Sequence, residues 1–180
     1  MTSMNLHAAV AVVSVAAACA IVLSSCSSGP PPAAVTPASE QSQKPDFIDS
    51  ALVGQAAAIQ ESVEAYAVDH GGNYPTRVDD ALKSYFPKEG FTNPATGKAN
   101  QMPEQGDIKD LESVFRGEVV PATKAGMVQY SALDNGKMYA IVCGGAGDKP
   151  IHDPDHEDRI FMLSNVKRFS SSVDYLRKSK

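Results

Sequence analysis

The sequence predicts an α+β fold: one long amphipathic N-terminal helix packed on a small antiparallel β-sheet, with a short second helix and long loops. Apolar residues recur at spacings of three, four or seven from Ile48 to Tyr66, which is the pattern of one helix face. Further along, Asp134-Asn-Gly-Lys137 separates two runs of strand-forming residues, as in a β-hairpin. Because the helix and hairpin signals occupy separate blocks of the chain, they favour α+β architecture.

The sequence predicts both ends of the long helix and its solvent-exposed face. Asp46 is a suitable N-cap, and Gly71-Gly72 is a suitable C-terminal stop because glycine adopts the left-handed conformation readily. The polar residues of this segment fall outside the apolar stripe and are expected in water. They are Gln60, Glu61, Glu64 and Asp69.

A short second helix is expected after the Asn73-Tyr-Pro-Thr76 turn. Thr76 is the predicted N-cap, and Pro87 should end the helix. Residues 88–107 are rich in glycine and proline and predict a long loop, in which Phe91 and Met102 are the expected buried anchors. Residues 108–114 could form one or two helical turns.

Three strands are predicted in the second half of the chain. Residues 128–130 and 138–143 flank the hairpin turn, and residues 160–163 follow as the third strand. Cys143 ends an apolar run, so we expect a buried thiol that behaves as a small apolar residue. The predicted globular domain covers residues 46–166, and residues 167–180 form a C-terminal tail.

The residues before position 46 predict export and lipidation. An apolar run over residues 8–23 has the length of a signal-peptide hydrophobic region and leads into Leu23-Ser-Ser-Cys26, which has the form of a lipobox. We therefore expect a lipoprotein signal peptide at residues 1–25 and a lipidated Cys26 carrying palmitate-type chains. An uncleaved membrane-anchoring helix is the alternative.

The lipid anchor implies a place in the cell. Residues 26–45 form a Pro/Ser-rich linker that would hold the globular domain away from the membrane. The protein would then belong to the cell envelope, anchored to a membrane by lipid and facing the periplasm or the cell exterior.

Composition and motifs exclude several function classes. The net charge is -5 and the pI is about 5.3, so no basic face for nucleic acid is expected. The sequence contains no Gly-x-Ser-x-Gly elbow, no phosphate-binding Gly-x-x-x-x-Gly-Lys-Ser/Thr and no His-Glu-x-x-His motif. We therefore expect a protein that is not an enzyme.

Six short motifs, in this order, carry a resemblance to a known family. They are Ala57-Ala-Ile-Gln-Glu-Ser-Val-Glu-Ala-Tyr-Ala67, Gly71-Gly-Asn-Tyr-Pro75, Phe91-Thr-Asn-Pro-Ala-Thr-Gly97, Gly126-Met-Val-Gln-Tyr130, Asn135-Gly-Lys-Met-Tyr-Ala-Ile141 and Phe161-Met-Leu-Ser-Asn165. Together they resemble the globular part of type IV pilin-like proteins, and above all the major pseudopilin (G protein) of type II secretion systems. The resemblance covers about residues 47–165.

The resemblance implies a pilin-like head that acts by protein-protein contact with secretion or pilus proteins. This chain departs from the family in its amino-terminal part, which lacks the family's cleavage motif and its continuous hydrophobic helix with an early glutamate. Incorporation into a filament in the usual way is therefore not expected. The chain instead resembles a pilin-like head on a lipid tether.

The resemblance also implies a calcium site in the loop over residues 144–158. The matching acidic residues are Asp148, Asp153, Asp155 and Asp158, accompanied by Glu157. Several carboxylates in a glycine-rich loop suit calcium, but a solvated acidic loop without metal is the alternative.

The same loop raises two further alternatives. His152 and His156 could bind zinc or copper, although Pro154 between them disfavours a shared helix face. The whole protein could also be a stand-alone envelope module that holds a metal or another ligand through this loop.

Overall fold

The computed structural model describes residues 45–173. Its first element, α1 (Pro45–Asp69), already includes Asp46, which is therefore not the N-cap that the sequence predicted. Proline is favoured at this point because the first helical N–H groups have no partner within the helix. The predicted stop is confirmed: Gly71 and Gly72 have φ of +65° and +84°, and the Gly72 N–H donates to Ala67 O over 2.8 Å.

The apolar stripe of α1 faces the core, as its periodicity predicts. Its fully or nearly buried members are Ile48, Leu52, Ala56, Ile59, Val63 and Ala67. All of them except Ala67 belong to the core cluster on one face of the β-sheet, so most of the stabilisation of α1 comes from burial of this stripe.

The short second helix is present, but its cap differs from the prediction. Helix α2 (Asp80–Lys83) is capped by Asp79, whose Oδ1 accepts a 3.1 Å hydrogen bond from the Leu82 N–H. Thr76, the predicted N-cap, lies three residues before Asp79 and does not cap this helix. Leu82 is buried in the cluster that also contains the α1 stripe.

The loop over residues 88–107 is anchored at three points. Phe91 and Met102 pack against the main core but are only half-buried, whereas the sequence predicted buried anchors, and Phe91 forms an isolated β-bridge with Gln101. The third anchor, Asn93, was missed by the sequence analysis because its burial depends on residues 125–127. Its Nδ2 donates to Ala125 O over 3.0 Å, while its Oδ1 accepts the N–H groups of Ala95 and Thr96.

The sheet is built on the predicted hairpin. Strand β1 (Glu104–Gln105) pairs in parallel with β2 (Val128–Leu133), which pairs antiparallel with β3 (Met138–Cys143). The register places Tyr130 opposite Ile141. In the turn, Gly136 has φ of +81°, as expected, and Asp134 and Asn135 share the left-handed conformation.

The third strand is shorter than predicted. Strand β6 (Met162–Leu163) pairs antiparallel with β3 and gives the sheet order β1-β2-β3-β6. Ile160 belongs instead to a separate hairpin formed by β4 (His152–Asp153) and β5 (His156–Ile160). Half of the acidic loop is therefore folded as a β-hairpin.

The sheet is covered on both faces, although the sequence predicted a helix on one face only. Helix α3 (Leu111–Phe115), capped by Asp110, lies over the second face. The buried cluster on this face consists of Ile108, Leu111, Val114, Leu133, Ala140, Val142, Ile160 and Met162.

The fold continues beyond the predicted boundary at residue 166. The Ser171 N–H donates to Met162 O over 2.7 Å, and Phe169 packs on the second-face cluster. Residues 167–173, predicted as part of a tail, thus pack on the folded domain. No helix within residues 45–173 is long and apolar enough to cross a membrane. The predicted signal peptide (1–25), the predicted lipidation site Cys26, most of the predicted linker and the last seven residues lie outside the described residues.

Candidate functional site

A cavity of about 550 Å³ lies between the start of α1 and the loop over residues 144–158. Asp49 and Ser50 of α1 line one side of it, and Lys149 and His152 line another. This volume is in the range of small-ligand clefts. The loop singled out from the sequence therefore lines a cavity of ligand size.

Backbone hydrogen bonds hold the floor of this cavity in place. The Gly145 N–H donates to Lys149 O over 2.7 Å, and the Ile151 N–H donates to Cys143 O over 3.0 Å. A Cβ atom on Gly145 would approach Ile151 Cγ2 to 2.7 Å and Asp49 Oδ1 to 3.2 Å. A larger residue at position 145 would thus push the loop away from α1.

Asp148 has a structural role in this arrangement. Its Oδ1 accepts a 2.7 Å hydrogen bond from the Ala125 N–H, and its backbone carbonyl accepts the Thr123 hydroxyl over 3.0 Å. The residue itself adopts φ of +58°, a left-handed conformation that aspartate enters more readily than most residues other than glycine. Asp148 therefore links the 144–150 segment to residues 123–125.

The other three predicted aspartates lie in or beside the β4–β5 hairpin. Asp153 is 4% exposed and lines the cavity, and its Oδ1 accepts the Asp155 N–H over 2.9 Å at the hairpin turn. Asp155 and Asp158 are exposed. Glu157, on β5, lines the cavity with Asp153.

The residues predicted as calcium ligands are not gathered into a metal-holding group within residues 45–173. Calcium needs six to eight oxygen ligands, whereas within residues 45–173 no three His, Cys, Asp or Glu side chains converge as a metal-holding group. The Oδ1 atoms of Asp148 and Asp153 already accept backbone N–H groups. His152 and His156 lie on opposite strands of the hairpin and are both exposed.

A second polar cluster joins α1 to the sheet. Tyr139 is fully buried, its hydroxyl donates to Glu64 Oε1 over 2.7 Å, and Gln60 Nε2 donates to the Tyr139 hydroxyl oxygen over 2.8 Å. Tyr74 donates to Glu64 Oε2 over 3.1 Å. Gln60 and Glu64, predicted to face water, therefore turn towards the sheet.

Burial raises the pKa of the Tyr139 hydroxyl well above its ordinary value, and the hydrogen bond to Glu64 adds to this shift. The sequence analysis missed the pairing of Tyr139 with Gln60 and Glu64, because the tyrosine lies far from both helix residues in the chain. The available signal was the position of Gln60 and Glu64 beside the stripe residues Ile59 and Val63 on the helix surface.

Cys143 is buried in β3, as predicted. It is 0% exposed, and its thiol points to Leu52 O at 3.7 Å. Burial raises the pKa of this thiol, with a smaller contribution from the charge of Asp49. Since the thiolate is the reactive form, the Cys143 sulfur is unsuited to nucleophilic chemistry.

The cavity beside the acidic loop is the arrangement best suited to recognition. Its lining brings together the carboxyl groups of Asp49, Asp153 and Glu157 with the ammonium group of Lys149.

In comparisons with known proteins, no protein-family model matches the chain, and no curated protein and no solved structure matches it either.

Proposed function

We propose that this chain is an exported lipoprotein, tethered through Cys26, whose pilin-like head acts by protein-protein contact and not as an enzyme. Its partners are components of a type II secretion or type IV pilus-like system, to which it is accessory. The head faces the periplasm or the cell exterior at the end of the linker.

One observation carries this proposal: the motifs that resemble the pseudopilin family contact one another in pairs. Tyr74 of the Gly-Asn-Tyr-Pro motif donates its N–H to Gly136 O over 2.9 Å, and the Tyr130 hydroxyl donates to Pro75 O over 2.6 Å. Asn93, in the Asn-Pro-Ala-Thr-Gly motif, packs against Gly126 of the next motif. The motifs are thus joined in one helix-on-sheet head.

The lipid anchor is tested by metabolic labelling with palmitate. The wild-type chain should carry the label, and Cys26→Ala should lose it and accumulate at the mass of the full precursor. Cys19→Ser is the matched control and should keep the label. Label that survives in Cys26→Ala would refute the lipoprotein assignment.

The contact function is tested by crosslinking in cells followed by identification of the attached proteins. Components of a secretion or pilus machine should be recovered with wild type and lost with a head-deleted chain that keeps residues 1–45. Recovery of the same components by the chain without its head would contradict a role for the head.

A second candidate is a stand-alone envelope module that binds a ligand through the 144–158 loop. The cavity of about 550 Å³ beside that loop favours it. Crosslinking separates the two candidates, because a stand-alone module would be recovered without secretion or pilus components.

A further inference from the structure

Two arginine and two phenylalanine side chains form a continuous row on the second face of the sheet. The guanidinium carbon of Arg159, on β5, lies 5.3 Å from the ring centroid of Phe115 in α3. The Phe115 and Phe169 centroids are 6.1 Å apart, and the guanidinium carbon of Arg168 lies 4.5 Å from the Phe169 centroid. We call these four residues the arginine–phenylalanine row. It joins three separate elements: α3, β5 and the 3-10 turn at Lys167–Phe169.

The positive charges of this row have no carboxylate partners in the described part of the chain. None of the ion pairs among the described residues involves Arg159, Arg168 or their exposed neighbour Lys167. The glutamates on either side of Phe115 in the sequence pair instead with Arg116. Contact with an aromatic ring holds a guanidinium group in place without neutralising its charge. The row is therefore a local positive surface on a chain whose net charge is -5.

The two phenylalanine rings add apolar surface between the charges. Phe115 and Phe169 are each only partly buried against the second-face cluster. Aromatic rings beside arginine or lysine are typical of surfaces at a membrane–water boundary, where the rings enter the headgroup region and the cations attract anionic lipid. The last four residues of the sequence add three further cations, Arg177, Lys178 and Lys180. The row thus has the composition of a surface that binds anionic lipid.

We propose that the arginine–phenylalanine row binds the phosphate groups of an anionic membrane surface and holds the head against it. This inference rests on the lipid tether of the proposed function, which keeps a bilayer close to the head. The predicted linker over residues 26–45 extends to about 70 Å at most, which is enough for the head to turn the row towards the bilayer.

The proposal gives the head a defined orientation. Helix α1 and the row lie on opposite faces of the sheet. When the row rests on the membrane, the exposed side of α1 is turned away from it and is open to partner proteins. The acyl chains of the tether anchor the protein, and the row sets which side of the head faces the bilayer.

The test uses the ¹⁵N-labelled full chain in lipid nanodiscs that contain a trace of phosphatidylcholine with a nitroxide on its headgroup, which broadens amide signals near the bilayer surface. With about 30% phosphatidylglycerol in phosphatidylcholine, the amides of Arg159, Arg168 and Phe169 should broaden strongly. Those of Glu61 and Ala65, on the exposed side of α1 across the sheet, should broaden little. In phosphatidylcholine alone, or in about 0.5 M salt, this difference should disappear.

Substitutions in the row test the contribution of its charge. Arg159→Gln/Arg168→Gln removes two positive charges and should weaken the membrane-bound state of the head about fivefold per arginine, seen as loss of the difference in broadening. Arg77→Gln/Lys98→Gln removes the same charge from exposed positions outside the row and should behave as wild type does. Arg159→Lys/Arg168→Lys keeps the charge and should retain most of the difference. The same spectra report whether each variant is folded.

The proposal is overturned if the amides of the row and of α1 broaden alike, or if the row amides broaden equally with and without phosphatidylglycerol. Equal loss of the difference in the row variant and in the Arg77→Gln/Lys98→Gln control would also overturn it. Shifts of the row amides with the peptide acetyl-Glu-Glu-Glu-Glu-amide, without broadening by the anionic bilayer, would overturn it in favour of an acidic protein partner.

Failure of this inference is distinguishable from failure of the proposed function. Each nanodisc comparison keeps the membrane anchor of the chain constant, so its result is valid whether or not Cys26 carries lipid. Palmitate labelling tests the tether, and crosslinking tests the secretion or pilus partners, in separate experiments.

Discussion

The hydroxyl of Tyr139 donates a 2.7 Å hydrogen bond to Glu64 Oε1 across the interface between α1 and the sheet. The two residues are 75 positions apart in the chain. Tyr74 packs edge-on against the Tyr139 ring with centroids 4.8 Å apart, and it donates to the second Glu64 oxygen. One carboxyl group thus connects the long helix, the turn that follows it and the central strand.

Removal of the Tyr139 hydroxyl should destabilise the fold. Tyr139→Phe leaves Glu64 and Gln60 with one fewer partner in a half-buried site, at a cost of about 1–2 kcal/mol in the free energy of unfolding. Urea unfolding followed by circular dichroism measures it. Tyr85→Phe, which removes an exposed hydrogen bond to Asp69, is the control and should cost less. Equal losses would contradict the stabilising role of the buried cluster.

Gly126 should tolerate substitution less well than Gly97. Both have positive φ, +73° and +70°, so alanine at either position carries a backbone cost of about 1–2 kcal/mol. A Cβ on Gly126 would also overlap the Asn93 side chain, whereas a Cβ on Gly97 meets nothing within 4 Å. Thermal unfolding of Gly126→Ala should show a further loss of about 1–3 kcal/mol. If the two variants unfold alike, Asn93 does not pack tightly against this turn.

Asp148 should stabilise the head without a metal ion. Asp148→Ala removes the acceptor for the Ala125 N–H and should lower the free energy of unfolding by about 0.5–1.5 kcal/mol in metal-free buffer. Asp158→Asn, an exposed residue of the same loop, should have little effect. Both are measured with and without calcium. A large rise in wild-type melting temperature on calcium addition, absent in Asp148→Ala, would instead support the calcium site implied by the family resemblance.

Stability should fall at alkaline pH. Burial raises the pKa values of Tyr130, Tyr139 and Cys143, so the folded state keeps protons that the unfolded chain releases. The stabilisation from these groups is fully present below their unfolded pKa values and is lost as pH rises above them, from about pH 8.5 for the thiol and about pH 10 for the tyrosines.

Urea midpoints measured from pH 7 to 11 test this decline. Cys143→Ala should remove the decline in urea midpoint that begins at about pH 8.5. The decline that begins at about pH 10, which comes from the tyrosines, should remain. A wild-type midpoint that stays level across both ranges would show that these groups titrate alike in the folded and unfolded states.

The Cys143 thiol should be inert in the folded protein. In a Cys19→Ser/Cys26→Ser chain it is the sole thiol, and it should react with Ellman's reagent only after denaturant is added. Complete reaction within minutes in native buffer would mean that β3 opens readily near residue 143.

Local patterns explain which elements could be predicted. The stripe of α1, its end at Gly71-Gly72 and the hairpin around Gly136 each depend on residues close in sequence, so periodicity and turn chemistry were sufficient. The same reasoning placed Cys143 in a buried strand. The prediction of Thr76 as the N-cap of α2 was wrong. Several polar residues in this segment could cap a helix, and Asp79 is the one that directly precedes the first residue of α2.

The candidate site was only partly predictable. The acidic loop was identified as a separate feature, but whether its carboxyl groups converge on an ion depends on the path of the backbone. Asp148 Oδ1 accepts the N–H of Ala125, 23 residues away, and Asp153 Oδ1 accepts the N–H of Asp155 in the hairpin turn. Both oxygen atoms are therefore hydrogen-bonded within the fold. A pattern of acidic residues could not distinguish these structural roles from metal ligation.

The sequence by itself determined the α+β class, the long helix, the central hairpin and the burial of Cys143, because each follows from the spacing of apolar and turn residues over a few neighbours. Only the tertiary structure decided that Gln60 and Glu64 face Tyr139 and that both sheet faces are covered. It also decided that α1 and the β4–β5 hairpin line one open cavity. These features join residues that are far apart in the chain. The polar groups of Gln60, Glu64 and Tyr139 can be buried at the interface between α1 and the sheet because they complete one another's hydrogen bonds.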